Sequence, residues 1–163
     1  MSALERTTKI YEGSRIPRPI PTVLQVDPEQ HDLDDIEDLA DEIIRRSEDA
    51  TRAGIRELPA GTYTSSALLD LADGSEIEIR CALTVDTDTG TIIVDYTGSA
   101  DASPWGINVV RNYTHAYTTF TVRSVLNPDI PNNHGSLAPI KVAAPEGTIV
   151  NAVLPQPGTA RHV

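Results

Sequence analysis

Between Leu33 and Gly54 apolar and small residues recur at steps of three and four: Leu33, Ile36, Ala40, Ile43, Ser47, Ala50 and Gly54, with Leu39 and Ile44 widening the stripe. That period predicts an amphipathic helix with one packed and one wet face. Asp27, Pro28 and Glu29 supply its start, because an acidic cap accepts backbone N–H bonds and proline tolerates the first helical position. Acids crowd its first half and Arg45, Arg46, Arg52 and Arg56 its second, an order that complements the helix dipole. Pro59-Ala60-Gly61 ends the helix, and the pattern then switches to alternation. Thr62 to Leu71, Glu76 to Val85 and Thr91 to Tyr96 read as three strands of an antiparallel meander. The turn from Asp86 to Gly90 resembles a calcium loop at first sight. It fails at the sixth position, Thr91, where glycine is required, and at the twelfth, Thr97, where glutamate is required.

Residues 97–108 are small and turn-forming, and Val109 to Leu126 fits a second helix capped by Asn108. Val109, Tyr113, Ala116, Tyr117, Phe120 and Ser124 share one side of it. Trp105, Tyr113, Tyr117 and Phe120 fall together here, so the pattern predicts the densest core in this segment. Ala138 to Ala143 and Thr148 to Leu154 read as two further strands around Pro145-Glu146-Gly147. Upstream, Pro17, Pro19 and Pro21 deny helix and favour an extended course over residues 1–26, whose Ile16, Ile20, Val23 and Leu24 predict an arm laid against another surface. The expected fold class is α+β: an antiparallel β-meander packed with two main helices and preceded by an extended N-terminal arm. Residues 27–163 are expected to form a single α+β segment.

Length and charge narrow the function. A chain of 163 residues and 17.6 kDa is the size of one domain. Its net charge is −11, and the acids lie in the middle: residues 27–59 hold twelve acids against four bases, and residues 60–103 eight against one. Such a surface repels phosphate, so neither nucleic acid nor an anionic membrane is an expected partner. No stretch has the roughly 18 to 20 apolar residues needed to cross a bilayer, and residues 1–9 lack the apolar core of a signal peptide, so a cytoplasmic location is expected. Only two lysines, Lys9 and Lys141, stand against eleven arginines. Cys81 is alone, which rules out an internal disulfide and a zinc site built from cysteines.

The familiar catalytic motifs are missing: there is no Walker loop, dinucleotide fingerprint, Gly-x-Ser-x-Gly elbow or His-Glu-x-x-His. Histidines 31, 115, 134 and 162 are scattered, so a metal site would have to be assembled by folding. Three segments stand out. Asp95-Tyr96-Thr97-Gly98-Ser99 places an acid, a phenol and two hydroxyls where a strand runs into a small-residue loop, as a turn or as the wall of a site. Asn108 to His115 opens a helix with Arg111 and His115 one turn apart, either a cap beside a solvated pair or an anion site. Asn127 to Gly135 (Asn-Pro-Asp-Ile-Pro-Asn-Asn-His-Gly) is too rich in restrictive residues for a slack connector and predicts a fixed loop, serving architecture or function.

Five motifs in register carry a resemblance. They are Leu58 to Tyr63 (Leu-Pro-Ala-Gly-Thr-Tyr), Val94 to Ser99, Asn127 to Gly135, Pro139 to Asn151 and Ala160 to Val163. Together they resemble the hydantoinase B/oxoprolinase family, closely over residues 55–163 and more loosely over 9–54. The resemblance implies a part in ATP-dependent opening of cyclic amides such as hydantoins and 5-oxoproline or, in relatives, in ATP-dependent carboxylation of ketones such as acetone and acetophenone. It also implies partners: a hydantoinase A-like ATPase subunit that phosphorylates the substrate, and other hydantoinase B-like chains in a hetero-oligomer. A closed site would then shield the activated intermediate from water.

Relatives are longer than this chain, and the Asn-Asp-Pro-Tyr and Gly-Gly-Thr-His type segments that bear their metal ligands have no match in residues 1–54. The expectation is therefore a middle portion of the family, inactive by itself. ATP and a divalent metal are expected in the partner subunit or other segments, and no cofactor is expected on this chain. No catalytic residue is carried over. Tyr96, Arg111, His115, Asn132, Asn133 and His134 are candidates for the wall of a site that other chains complete. A third reading keeps the fold and drops the chemistry, leaving a non-catalytic scaffold.

Overall fold

A computed structural model describes residues 36–71 and 73–158. The proline-rich arm and the expected helix start at Asp27 lie outside the described residues. In chain order the elements are α1 (Ile36–Arg56), β1 (Gly61–Asp70), β2 (Glu76–Asp86), β3 (Thr91–Asp95), α2 (Arg111–Leu126), α3 (His134–Leu137) and β4 (Ile140–Ala143). The described residues from Leu39 onward form one compact unit. It is an α+β fold: a mostly antiparallel sheet with two main helices.

Helix α1 keeps its wet face ordered with ion pairs at helical spacing. Arg45 bridges Glu42 and Asp49 at 2.8 and 2.7 Å, Arg46 reaches Glu42 at 2.6 Å, and Arg52 reaches Glu48 at 2.7 Å. Hydrogen bonds from Arg45, then from Arg46, hold the Glu42 carboxyl down at about 2. A lowered acid stabilises the fold above its ordinary value of 4.5, and that contribution disappears as pH falls toward 2. Glu42→Gln should therefore reduce the acid-side loss of helicity between pH 4.5 and 2 that wild type shows by circular dichroism. A wild-type profile flat across that window would contradict the pairing.

The packed line of α1 is Ser47, Thr51 and Ile55, all buried. It is rotated from the expected stripe: Ala40 and Ala50 are exposed. Two hydroxyl residues can enter the core because each bonds its own helix, Ser47 Oγ to the Ile43 carbonyl and Thr51 Oγ1 to the Ser47 carbonyl, both at 2.8 Å. Their polar atoms reach the interior already satisfied.

The four strands lie in the order β1-β2-β3-β4. β1 with β2 and β2 with β3 form the expected antiparallel meander. β4 returns beside β3 in parallel, Ile92 to Asp95 opposite Ile140 to Ala143, after a crossover through α2 and α3. A parallel return needs such a long connection, whereas the two hairpins need only turns. In the second hairpin Asp86 accepts from the Asp88 and Thr89 N–H groups and the Thr89 hydroxyl, and Gly90 takes φ +64°. The Asp86 carboxylate is thus spent on its own turn.

Alternation along β2 puts Ile77, Ile79, Cys81, Leu83 and Val85 on one face and Glu78, Arg80 and Thr84 on the other. Two apolar clusters form on the first face. Ile55 of α1 meets Val85, Ile92 and Val94, with Val122 and Leu126 of α2 alongside. Ile77 meets Ile149 and Val150, with Ile107 and Val109 alongside, and Tyr96 touches both clusters.

The aromatic helix departs most from expectation. α2 begins at Arg111, its cap position is Val110 with no side-chain bond, and Asn108 is not the cap. Asn108 is instead buried, accepting from the Ser103 N–H and donating to the Ser103, Trp105 and Pro157 carbonyls. The buried positions of α2 are Thr114, Thr118 and Thr119, while Tyr113, Tyr117 and Phe120 are exposed at 37, 57 and 61%. The aromatic segment is therefore not the densest core, and Trp105 is exposed as well. Thr148 to Leu154, expected as a strand, forms none. Its backbone bonds run to the loop after β3, from Ile149 N–H to the Ala100 carbonyl and from Ala152 N–H to the Val109 carbonyl, each at 3.0 Å. No neighbouring strand lies there to extend the sheet among the described residues, so the segment becomes a plug carrying Ile149 and Val150.

Candidate functional site

Between the apolar sheet face and α2 lies an open groove of ≈ 420 Å³. Ile79, Cys81 and Leu83 of β2 form its floor, and Tyr113, Tyr117 and Thr121 of α2 form one wall. Tyr113 and Tyr117 stack with ring centroids 4.3 Å apart, which keeps that wall planar and apolar. At its base the Tyr96 hydroxyl shares a hydrogen bond of 2.8 Å with Thr118 Oγ1. The pair contains two protons and one mutual bond, so a second hydroxyl proton is available to an acceptor in the groove. Burial pushes the Cys81 thiol up, with the Asp95 charge adding to it, which disfavours the thiolate on the groove floor.

The turn at the mouth of β3 is built by its own side chains. Asp95 accepts from the Thr97 N–H and hydroxyl at 2.8 and 2.6 Å, and Ser99 exchanges bonds with the Arg80 backbone at 3.0 and 3.1 Å. These bonds aim Tyr96 at the groove. Arg111 and His115 lie exposed on the first turn of α2, and neither has an ion pair among the described residues. The Thr114 between them is buried and donates to the Val150 carbonyl.

The 127–135 loop sits at the other end of α2. Arg123 Nη2 donates to the Ile130 carbonyl, and Asn133 caps α3 through a reciprocal capping box with Ser136. Asn133 Nδ2 also donates to Ser47 Oγ of α1 at 2.8 Å, and Gly135 packs directly on the α1 backbone. The loop is fixed, as its composition predicts, and Asn133 serves to fix it. Asn132 and His134 are exposed.

The six sequence candidates thus fall at three places. Tyr96 reaches the groove, Arg111 and His115 share the start of α2, and Asn132, Asn133 and His134 lie beyond its far end, with about 20 Å of helix between the last two groups. Sequence reasoning missed Thr118 and Cys81. The alternation of β2 carried the signal for Cys81; none marked Thr118. Among the described residues no group of three or more His, Cys, Asp or Glu is placed to hold a metal ion. They do not fit the divalent metal the family resemblance implies, and no step is routed through one. No described helix is long and apolar enough to cross a membrane.

The fold is a mostly antiparallel sheet with two main helices, and part of its apolar face lies open as the groove beside α2. The hydantoinase B/oxoprolinase family model matches residues 24–163, and the chain belongs to that family. A protein assigned as the B-type subunit of a D-/L-hydantoinase, from Pseudomonas sp. (strain NS671), is 33% identical over 144 residues, covering 82% of this chain and 24% of that protein. A 5-oxoprolinase from Dictyostelium discoideum is 34% identical over 93 residues, covering 57% of this chain and 7% of that protein. The chain therefore spans a quarter or less of the length of these relatives. The fold is shared with an ATP-dependent caprolactamase from Pseudomonas jessenii, at a TM-score of 0.65 and 23% identity over 81% of this chain and 23% of that one. It is also shared with a nucleotide-free acetone carboxylase, at a TM-score of 0.58 and 18% identity over 69% and 16%.

Proposed function

We propose that this chain is the sheet-and-helix segment of an ATP-dependent cyclic amide hydrolase of the hydantoinase or 5-oxoprolinase type. It works with a hydantoinase A-like ATPase subunit in a hetero-oligomer and is inactive by itself. The observation that carries this reading is the 33% identity to the B-type subunit of a D-/L-hydantoinase over 82% of the chain. The fold alone is common to a lactam-opening enzyme and a ketone carboxylase, so it does not choose between them. The matches to 5-oxoprolinases weigh toward the hydrolase.

In this reading the chain supplies binding and exclusion of water. The apolar groove shields an activated intermediate from hydrolysis by solvent, and the spare hydroxyl proton of the Tyr96 and Thr118 pair is donated to a carbonyl or amide oxygen. Arg111, with His115 one turn further along α2, forms an exposed edge suited to a phosphorylated substrate. Asn132 and His134 are presented on the fixed loop, and Asn133 holds that loop in place. The acid, base and metal chemistry belongs to the rest of the complex.

The test is reconstitution. The chain, the other hydantoinase B-type segments and the A-type ATPase are purified together and assayed with ATP against hydantoin and 5-oxoproline. The complex is expected to open one of these rings with coupled ATP consumption, and the chain alone to do neither. Turnover by the chain alone would overturn the reading. Bicarbonate-dependent consumption of acetone or acetophenone would transfer it to the carboxylases, and a stable assembly lacking any ATPase would leave a scaffold.

A further inference from the structure

Every residue of β1 is exposed, and β1 is the outer strand of the sheet. An outer strand presents a row of unpaired N–H and C=O groups, which proteins usually blunt with proline, lysine or a bulge. β1 has none of these. Gly61 to Leu69 contains no proline and no charged residue, and its register with β2 runs unbroken from Gly61 opposite Val85 to Asp70 opposite Glu76. Its edge is ready to pair.

The adjoining surface is equally unfinished. Tyr63, Ser65, Ala67 and Leu69 lie opposite Leu83, Cys81, Ile79 and Ile77 and so continue the floor of the groove out to the sheet edge. Tyr63 and Leu69 are exposed there, Tyr63 with its hydroxyl donating to the Pro59 carbonyl at 3.1 Å. At the end of the ladder Asp70 lies directly opposite Glu76, a like-charge pairing that costs stability, and neither has an ion pair among the described residues. A cation from outside would relieve it.

These features select the occupant. A second copy pairing antiparallel and in full register through β1 would cover the edge, leave the groove open and set the uncharged Gly61 of that copy beside Asp70 in place of a cation. A larger segment covers edge, groove and acids together. The hydantoinase B-type relative described above extends far beyond this match, which takes up 24% of it. We propose that β1 and the groove form one composite docking face for a further part of a hydantoinase B-type polypeptide. That part adds a strand to β1, fills the groove with apolar side chains and places a lysine or arginine at Asp70 and Glu76. The identity of the partner rests on the function proposed above; the chemistry of the face does not.

The test isolates the full chain with its associated polypeptides from its native source and compares amide exchange with that of the recombinant chain alone. A hydantoinase B-type polypeptide is expected in the complex, with β1 amides exchanging at least 100-fold more slowly than in the isolated chain. Tagged chains carrying Leu69→Lys or Asp70→Lys should recover at least 10-fold less of it while keeping the wild-type melting curve. Equal β1 exchange in both samples, unchanged recovery by both variants, or concentration-dependent protection of β1 in the chain alone would each overturn the docking face. The readout is binding, so it separates the two proposals. Protection without any ring opening removes only the function, and ring opening with β1 unprotected removes only this inference.

Discussion

Gly135→Ala is expected to be the most damaging small substitution in the described chain. A Cβ at this position would lie 1.9 Å from the Ile44 carbonyl oxygen, 2.8 Å from its carbon and 3.1 Å from the Glu48 nitrogen. All three are backbone atoms of α1, so no side chain can swing aside. Either α3 lifts away or the α1 backbone shifts, and lifting α3 also strains the bond from Asn133 Nδ2 to Ser47 Oγ. Overpacking of this kind costs about 3 kcal/mol, which corresponds to roughly 10 °C in unfolding midpoint for a domain of this size. Gly106→Ala is the control, because its new Cβ would sit 3.4 Å from the Gly158 carbonyl oxygen, at ordinary contact. Thermal melts of the two variants should differ by most of that amount. Equal midpoints would mean that α3 does not rest on α1 as described.

Asn108→Asp is expected to be nearly as costly and, unlike most core changes, pH-dependent. The two N–H groups of the wild-type amide are shared among three carbonyls, those of Ser103, Trp105 and Pro157 at 2.7, 3.2 and 2.7 Å, while its oxygen accepts from the Ser103 N–H at 2.7 Å. A carboxylate keeps the last bond but turns a negative oxygen toward three others in a site only 1% exposed. The acid therefore stays protonated in the folded protein, with its folded value raised above the ordinary 3.9 or so. For a raised group, stability is fully present below the unfolded value and is lost as pH rises through the folded one. The penalty relative to wild type should thus be smaller near pH 4 and reach roughly 3 to 5 kcal/mol near pH 7. Denaturant melts of both proteins at the two pH values measure it. A penalty independent of pH would show that the introduced carboxyl finds another partner or water.

Much of this architecture was legible because the signals were local. The switch from a helical to an alternating period at Pro59-Ala60-Gly61, the Asp86 to Gly90 turn and the restrictive residues of 127–135 each act through backbone preferences within a few positions. They survived folding unchanged. The motifs pointing to the hydantoinase B/oxoprolinase family are equally local, and the family match over residues 24–163 agrees with them.

The candidate site was legible only in pieces. Asn133 and Tyr96 stood in the right segments. What each does depends on Ser47, 86 residues before Asn133, and on Thr118, 22 residues after Tyr96. No periodicity encodes pairs at such distances.

The sequence by itself determined the three-strand meander, the two helices, the fixed loop and the family. Only the tertiary structure decided which way α2 turns, that β4 lies parallel to β3, that Thr148 to Leu154 forms a plug and that Asn108 knits a loop and does not cap a helix. The physical reason is the same in each case. Local patterns sort residues by polarity, but hydroxyls and amides whose bonds are met, as in Thr51, Thr119 and Asn108, can be buried at little cost. Aromatic side chains such as Tyr117 and Phe120 are then left facing outward, over surface that this chain does not cover with its own described residues.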